Sequence, residues 1–251
     1  MIRFCCKVSL SRLTVLLCGL VISSSVFAYG GSDDVFLVGL KAGGEYSWVN
    51  HLDKILVSEN YYSGYDFSHS GCIGPSVTLF ARFRSADKPL GLEGDLNYYQ
   101  LGGGTEYTDI KGLDYTMSVR YNYVGAGAYL LYYPMGRLHV GLGGRVSFNL
   151  NAEGLSYESN QESLDQGQYN YESASATEGH LRDKIKGDMD ASAGCMVGYT
   201  FDHGISLEAG YHFGLGDLMV TKTNNYRWID PTNWVQSVYF KLGYAISALG
   251  K

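Results

Sequence analysis

The chain has 251 residues, of which 45% are hydrophobic and only 18% charged, with 33 glycines, 22 tyrosines and a formal net charge of -6. That acidic balance, with no cluster of Lys and Arg, excludes a nucleic-acid partner, because phosphate binding draws on clustered basic side chains. Beyond residue 28 no unbroken apolar run approaches the about 20 residues a spanning helix needs; Val124 to Met135, the best candidate, is broken by glycines, tyrosines and Pro134.

Residues 1–28 read as a secretory signal. Arg3, Lys7 and Arg12 precede the apolar stretch Leu13 to Ile22, and the small-residue tail ends at Ala28, the expected cleavage point. Leu17 stands before Cys18 where a lipoprotein signal wants a small residue, which argues against a lipid anchor. Losing three basic and no acidic residues moves the net charge from -6 to -9. Of five cysteines only Cys72 and Cys195 remain, which is no disulfide framework. Residues 29–251 form one domain.

That domain is read as strands, in chain order, from side chains alternating with a period of two. Val35 to Trp48 sets Phe36, Val38, Leu40, Ala42 and Tyr46 against Lys41 and Glu45. Ile73 to Arg84 sets Val77, Leu79 and Ala81 against Ser76, Thr78, Arg82 and Arg84. Leu90 to Leu101 carries Glu93, Asp95 and Asn97 between Leu92, Leu96 and Tyr98. Tyr115 to Tyr133 has two apolar faces. Arg120 and Asn122 favour turning Met117, Val119, Tyr121, Tyr123, Tyr129 and Leu131 outward.

The remaining strands are clearer. Leu138 to Leu150 places Val140, Leu142, Val146 and Phe148 opposite His139, Arg145, Ser147 and Asn149. Gly187 to Phe201 sets Met189, Ala191, Ala193, Val197 and Tyr199 against Asp188, Asp190 and Ser192. Gly204 to Leu215 sets Ile205, Leu207 and Ala209 against Ser206, Glu208 and His212, and Trp234 to Ile246 sets Val238, Phe240 and Leu242 against Ser237 and Lys241. On this assignment Cys195 faces lipid, far around the barrel from Cys72.

Charges on the second face mean that face is not an ordinary core. A soluble β-sandwich would also alternate, but here the connections alternate in length too. Ser85 to Pro89, Pro134 to Arg137 and Asp202 to Gly204 are short. Val49 to Gly71, Gly102 to Asp114, Asn151 to Lys186 and Gly216 to Asn233 are long. Short periplasmic turns and long outer loops are the pattern of an outer-membrane barrel. The expected fold is all-β, an eight-stranded antiparallel up-and-down transmembrane β-barrel.

The expected lumen network is Lys41, Arg82, Arg84, Arg120, Arg145 and Lys241 against Glu45, Glu93, Asp95, Asp188, Asp190 and Glu208. Because an unpaired buried charge costs several kcal/mol, this balance reads as a salt-bridged lumen. An eight-strand barrel is only wide enough for side chains to fill it, so it is plugged, or at most a narrow path. A lumen change such as Ser147→Asn is expected to be nearly silent. Trp48, Tyr98, Tyr121, Tyr133, Tyr199, Trp234 and Tyr244 fall near strand ends, as interfacial girdles require.

No catalytic or metal site stands out, and no cofactor is expected. His139 and His212 face inward, where a carboxylate partner explains them; His51 and His69 lie in the first loop, with Ser70 beside the latter, and His203 in a turn. The acidic stretch from Glu153 to Glu178 lacks calcium-loop spacing. Gly102, Gly103 and Gly104 read as a flexible turn, since no helix follows to make a phosphate cradle. The outer loops are rich in aromatics among Ser, Asn and Gly, as binding surfaces are: Tyr61, Tyr62, Tyr65 and Phe67, then Tyr157, Tyr169 and Tyr171, then Tyr226, Trp228 and Trp234.

The stretch Tyr121 to Asn151, YNYVGAGAYLLYYPMGRLHVGLGGRVSFNLN, resembles the central hairpin of the small outer-membrane β-barrels common in Bacteroidetes, the PorT-like family. Gly204 to Leu215 and Ser237 to Ile246 resemble that family's last two strands; residues 247–251 depart from its usual terminal aromatic. The resemblance implies an exported outer-membrane protein in contact with lipid, lipopolysaccharide and the barrel-assembly machinery, with roles in secretion, gliding or adhesion among its members. The function expected is non-enzymatic, in envelope structure or recognition of an extracellular ligand. The alternatives are a narrow lumen channel, a secretion-machine subunit and a lipid-modifying enzyme.

Overall fold

A computed structural model describes residues 35–55, 66–109, 112–164, 172–201, 204–221 and 232–249. The segment expected to be a signal, 1–28, lies outside them, as do Tyr61, Tyr62, Tyr65, Tyr169, Tyr171, Tyr226 and Trp228. The strands are β1 (Val35–Val49), β2 (Asp66–Arg84), β3 (Leu90–Thr108), β4 (Asp114–Tyr132), β5 (Leu138–Asn149), β6 (Leu155–Ser159), β7 (Ile185–Gly187), β8 (Asp190–Thr200), β9 (Ile205–Gly214), β10 (Met219–Thr221) and β11 (Val235–Leu249). Eight of them close an antiparallel ring in the order β1-β2-β3-β4-β5-β8-β9-β11. Pairing of β1 with both β2 (Val35↔Arg84) and β11 (Phe36↔Leu249) seals it.

The short connections all lie at the end where β1 begins and β11 finishes, as expected. Outward side chains form an apolar band, with Ile73 73%, Leu142 70% and Phe148 63% exposed. A continuous apolar surface of this kind is a liability in water and is the lipid-facing surface of a membrane barrel. Among the described residues no helix is long and apolar enough to cross a membrane.

Cys72 is buried and Cys195 exposed, opposite Leu142 in register, and neither is bonded to the other. In detergent-solubilised, folded protein, a lipid-soluble maleimide should therefore modify Cys195 and leave Cys72 intact until urea is added. Mass spectrometry reads this directly, and equal labelling of the two would contradict the facing of β2 or β8.

Four expectations are corrected, and three share one cause. Strands β2, β3 and β4 are each 19 residues long, about twice the 9–11 residues a spanning strand needs. They stand above the membrane as a wall. The membrane part of β4 is its pairing with β5, Tyr123 to Tyr132, while its outer part pairs with β6 instead.

The first correction is the facing of β4, which is reversed. Met117, Val119, Tyr121, Tyr123, Tyr129 and Leu131 are buried inside, and Val124 and Leu130 are exposed outside. Arg120 points outward because it lies in the wall, where the rule that charges face the lumen no longer applies. The second concerns Gly102, Gly103 and Gly104. They are not a turn but part of β3, in register with Arg120, Val119 and Ser118. A Cβ on Gly102 would sit 2.1 Å from the Val119 carbonyl oxygen, so glycine is needed for close approach rather than for flexibility.

The third is the segment from Asn151 to Lys186, expected as a loop. It holds β6, a short helix α1 (Gln161–Leu164), helix α2 (Ala174–Lys184) and the start of β7. The Ser173 hydroxyl caps α2 by accepting from the Ala176 N–H at 3.1 Å, and Arg182 and Lys184 occupy its last turn, where the helix dipole favours cations. Two acids of this segment find cationic partners within it: Lys186 donates to Glu153 at 2.7 Å and Arg182 lies 2.6 Å from Glu178. Lys186 holds the exposed Glu153 carboxyl below the usual carboxylate range. The fourth correction is to the girdle. Tyr121 and Tyr133 are buried inside, whereas Tyr199 and Tyr244 stay on the outer surface.

Candidate functional site

The inward side chains of the membrane part build the lumen in two ionic layers. Near the short-turn end Lys41 bridges Glu93 and Glu208, the latter at 2.5 Å. Arg82 donates to Glu93 at 2.6 Å through Nε and lies 3.4 Å from Glu208. Both cations lie over the Phe80 ring, at 4.7 and 5.3 Å. His139 is 3.9 Å from Glu208.

The second layer lies farther out. Arg145 grips Glu45 with two hydrogen bonds, 2.7 and 3.1 Å, and reaches Asp190 at 3.3 Å. Ser237 donates to Glu45 at 2.6 Å, and the Tyr99 hydroxyl donates to Asp190 at 2.5 Å while its ring lies 3.5 Å beneath the Arg145 guanidinium. Such bidentate, hydrogen-bonded pairs are the geometry in which mutual attraction offsets the cost of desolvation.

Of the twelve expected network residues, these layers bring together Lys41, Glu45, Arg82, Glu93, Arg145, Asp190 and Glu208. Lys241 is buried beside them but donates to Thr78 at 2.9 Å and lies 4.5 Å over the Tyr239 ring. Half-buried Asp95 accepts from Asn97 at 2.7 Å. The other three are corrected. Arg84 sits at the rim, donating to the Gly136 carbonyl at 2.5 Å and stacking on Tyr133 at 4.6 Å, with no carboxylate partner among the described residues. Asp188 is exposed and accepts from the Met189 N–H at 2.8 Å, ahead of β8. Arg120 points outward, as described.

Sequence reasoning missed the tyrosines that join the layers. Tyr239 donates to Glu208 at 3.2 Å, and the Tyr129 hydroxyl meets His212 Nε2 at 2.8 Å. Parity could have found two of them, because Tyr99 shares its face with Glu93 and Asn97, and Tyr239 shares its face with Ser237 and Lys241.

Above the ions the lumen turns apolar. Tyr99, Leu101, Met117, Val119, Tyr121 and Tyr123 pack into one buried cluster with Leu155 of β6, Leu181 of α2, Ile185 of β7 and Leu218 and Met219 at β10. A 3-10 turn, Leu52–Ile55, drops Leu52 and Ile55 into the same cluster. Pairing of β7 with β10 ties the two long outer connections together over the mouth. Phe67, Tyr107, Tyr115 and Tyr157 form a row across the wall at centroid spacings of 5.0, 4.7 and 5.4 Å. Tyr157, expected as a recognition residue, is buried in that row and is corrected.

Among the described residues the lumen is thus filled at two levels, by paired ions within the membrane part and by a lid with its own core above. Among the described residues no three His, Cys, Asp or Glu side chains converge as a metal site.

A sequence model of the family described as outer membrane protein beta-barrel domain matches residues 32–220. Nothing in the match is specific to the PorT-like barrels, and no curated protein matches the chain. Among solved structures, Neisserial surface protein A is similar at 14% identity and TM-score 0.37, over 82% of this chain and 96% of that one. OprG of Pseudomonas aeruginosa is similar at 13% identity and TM-score 0.39, over 87% and 98%. Ail of Yersinia pestis is similar at 12% identity and TM-score 0.34, over 83% and 97%.

Proposed function

The chain belongs to the outer membrane protein beta-barrel domain family of the bacterial outer membrane, and from that premise we propose a non-conducting, non-enzymatic barrel that works at the outer surface. On this reading the export signal of residues 1–28 is removed, the barrel is the anchor, and the wall and lid are the working part, in envelope structure or in recognition of an extracellular ligand. One observation carries it: the outer mouth is filled by the side chains of the lid, packed as a core on the inward face of β4. A channel has no use for a core across its mouth.

The purified, refolded protein in planar bilayers should be electrically silent, with or without Arg145→Ala or Lys241→Ala. Reproducible single-channel steps whose ion selectivity shifts with those substitutions would replace this reading with a lumen channel. A PorT-like part in a secretion machine would act through the short-turn rim, where exposed Met135 and half-buried Arg84 lie.

A further inference from the structure

On the outer side of β1 and β2 lies a cleft of about 500 Å3 lined by Tyr46, Trp48, Asn50, His51, Asp53 and His69. That volume falls within the about 300–1,000 Å3 of small-molecule sites. None of the ionic-network residues lines it. The mechanism proposed above does not use it.

Its position is fixed by register. Tyr46 pairs with Ile73, the most exposed apolar side chain of the band, and Trp48 lies two residues farther out. The cleft therefore opens just above the apolar band, where headgroups give way to water.

Its chemistry follows from which atoms are already committed. His51 Nδ1 lies 3.1 Å from the Thr232 carbonyl, which can only accept, so Nδ1 carries the proton and the neutral ring keeps Nε2 as an acceptor. His69 Nε2 lies 3.0 Å from Asp53 Oδ1, so the tautomer that donates to Asp53 leaves Nδ1 as an acceptor toward the cleft. Asn50 also lines the cleft, its Nδ2 buried and without a hydrogen-bond partner among the described residues. A ligand satisfying this wall must donate hydrogen bonds to neighbouring imidazole nitrogens, as hydroxyl groups do.

The opposite wall is aromatic. Tyr46 and Trp48 lie 5.9 Å apart at an interplanar angle of 39°, and offer π-faces to a C–H-rich surface. Among the described residues no Lys or Arg lines the cleft, while the Asp53 carboxylate does. His51 has φ of 58°, and is the only non-glycine residue with positive φ among those described. Strain of this kind persists where surrounding structure holds it, and it clusters at ligand sites. Gly71 lets the wall close, since a Cβ there would meet the Tyr46 ring at 2.2 Å.

We propose that the cleft between the Tyr46–Trp48 aromatic pair and the Asn50, His51 and His69 polar wall binds an uncharged glycan segment at the membrane boundary. This rests on the surface-acting reading and names a ligand class for it. The glycan comes either from the cell's own lipopolysaccharide or from outside, and the two sources present the same hydroxyl-rich, C–H-faced chemistry.

The test is isothermal titration of the detergent-solubilised barrel with two probes. One is a neutral outer-core oligosaccharide of lipopolysaccharide, freed of its acidic inner sugars; the other is isomaltohexaose, which has no membrane origin. Binding of at least one is expected, weakened at least tenfold by Trp48→Ala and by His69→Ala, and largely restored in Trp48→Phe. Core binding alone assigns the cell's own lipid, and isomaltohexaose binding assigns an external glycan. If neither binds, or if Trp48→Ala binds as well as the parent, the proposal is overturned. Heat-modified gel mobility confirms that each variant is folded. Because the readout is binding and not current, its failure is separable from the appearance of conductance, which would overturn the surface-acting reading.

Discussion

Glu45→Gln is expected to destabilise the barrel by about 3–5 kcal/mol, the cost of leaving one partner of a buried ion pair uncompensated. Glu45 is fully buried, takes two of the guanidinium hydrogen bonds of Arg145 and accepts from Ser237. The substitution leaves Arg145 with Asp190 at 3.3 Å as its remaining carboxylate. The triple variant Glu45→Gln/Arg145→Met/Asp190→Asn should recover most of the loss, because it removes Arg145 together with both of its carboxylates, and replacing a whole buried ion network with uncharged, well-packed groups is often neutral. Urea titration of the refolded protein in lipid vesicles measures both. A single variant as stable as the parent, or a triple variant no better than the single, would mean that the Arg145 network does not hold the lumen together.

The second large effect is on the other face. Leu142→Arg should cost about 2–4 kcal/mol and impair assembly, as a cation near the bilayer midplane of a barrel does. Leu142 is 70% exposed, and Leu130 and Cys195 lie directly opposite it on β4 and β8, in the middle of the apolar band. The same vesicle titration reads it, and full tolerance of the arginine would sink the lipid-facing assignment.

The neighbouring expectation that Ser147→Asn is nearly silent does not survive the geometry. Ser147 is fully buried, and its hydroxyl lies 1.9 Å from where a Cβ on Gly125 would be. Asparagine there overpacks the lumen, at a typical cost of about 1–3 kcal/mol. The lumen of this barrel is packed like a core, so polarity alone does not make a site tolerant.

What was legible in the sequence follows from where lipid imposes a rule. In β1, β5, β8 and β11 the alternation of apolar and polar residues marked strand and facing, and with β2, β3 and β9 it supplied the inward charges that pair, because the membrane part of each of those strands meets lipid on one side and the polar lumen on the other. In β4 both faces are apolar, and the tie was broken by Arg120, a residue of the wall. Nothing in a period of two marks where the membrane stops. The lid was equally hidden: Leu155, Leu181 and Ile185 are isolated apolar residues in a polar segment, and only the inward Tyr and Met side chains of β4 give them something to bury against. His69 and Asp53 are 16 positions apart by number and meet only because the 3-10 turn folds back on β2.

The most direct test of the sealed mouth is cysteine accessibility in intact cells, in a Cys72→Ser/Cys195→Ser background, with a charged maleimide that does not cross the membrane. Ser118→Cys and Arg120→Cys, on the outer face of the wall, should react at once, whereas Val119→Cys, turned into the core beneath the lid, should stay protected until the cells are lysed and the protein unfolded. Rapid labelling of Val119→Cys with protection of its two neighbours would reverse the facing of β4, and rapid labelling at all three positions would show a mouth open to water.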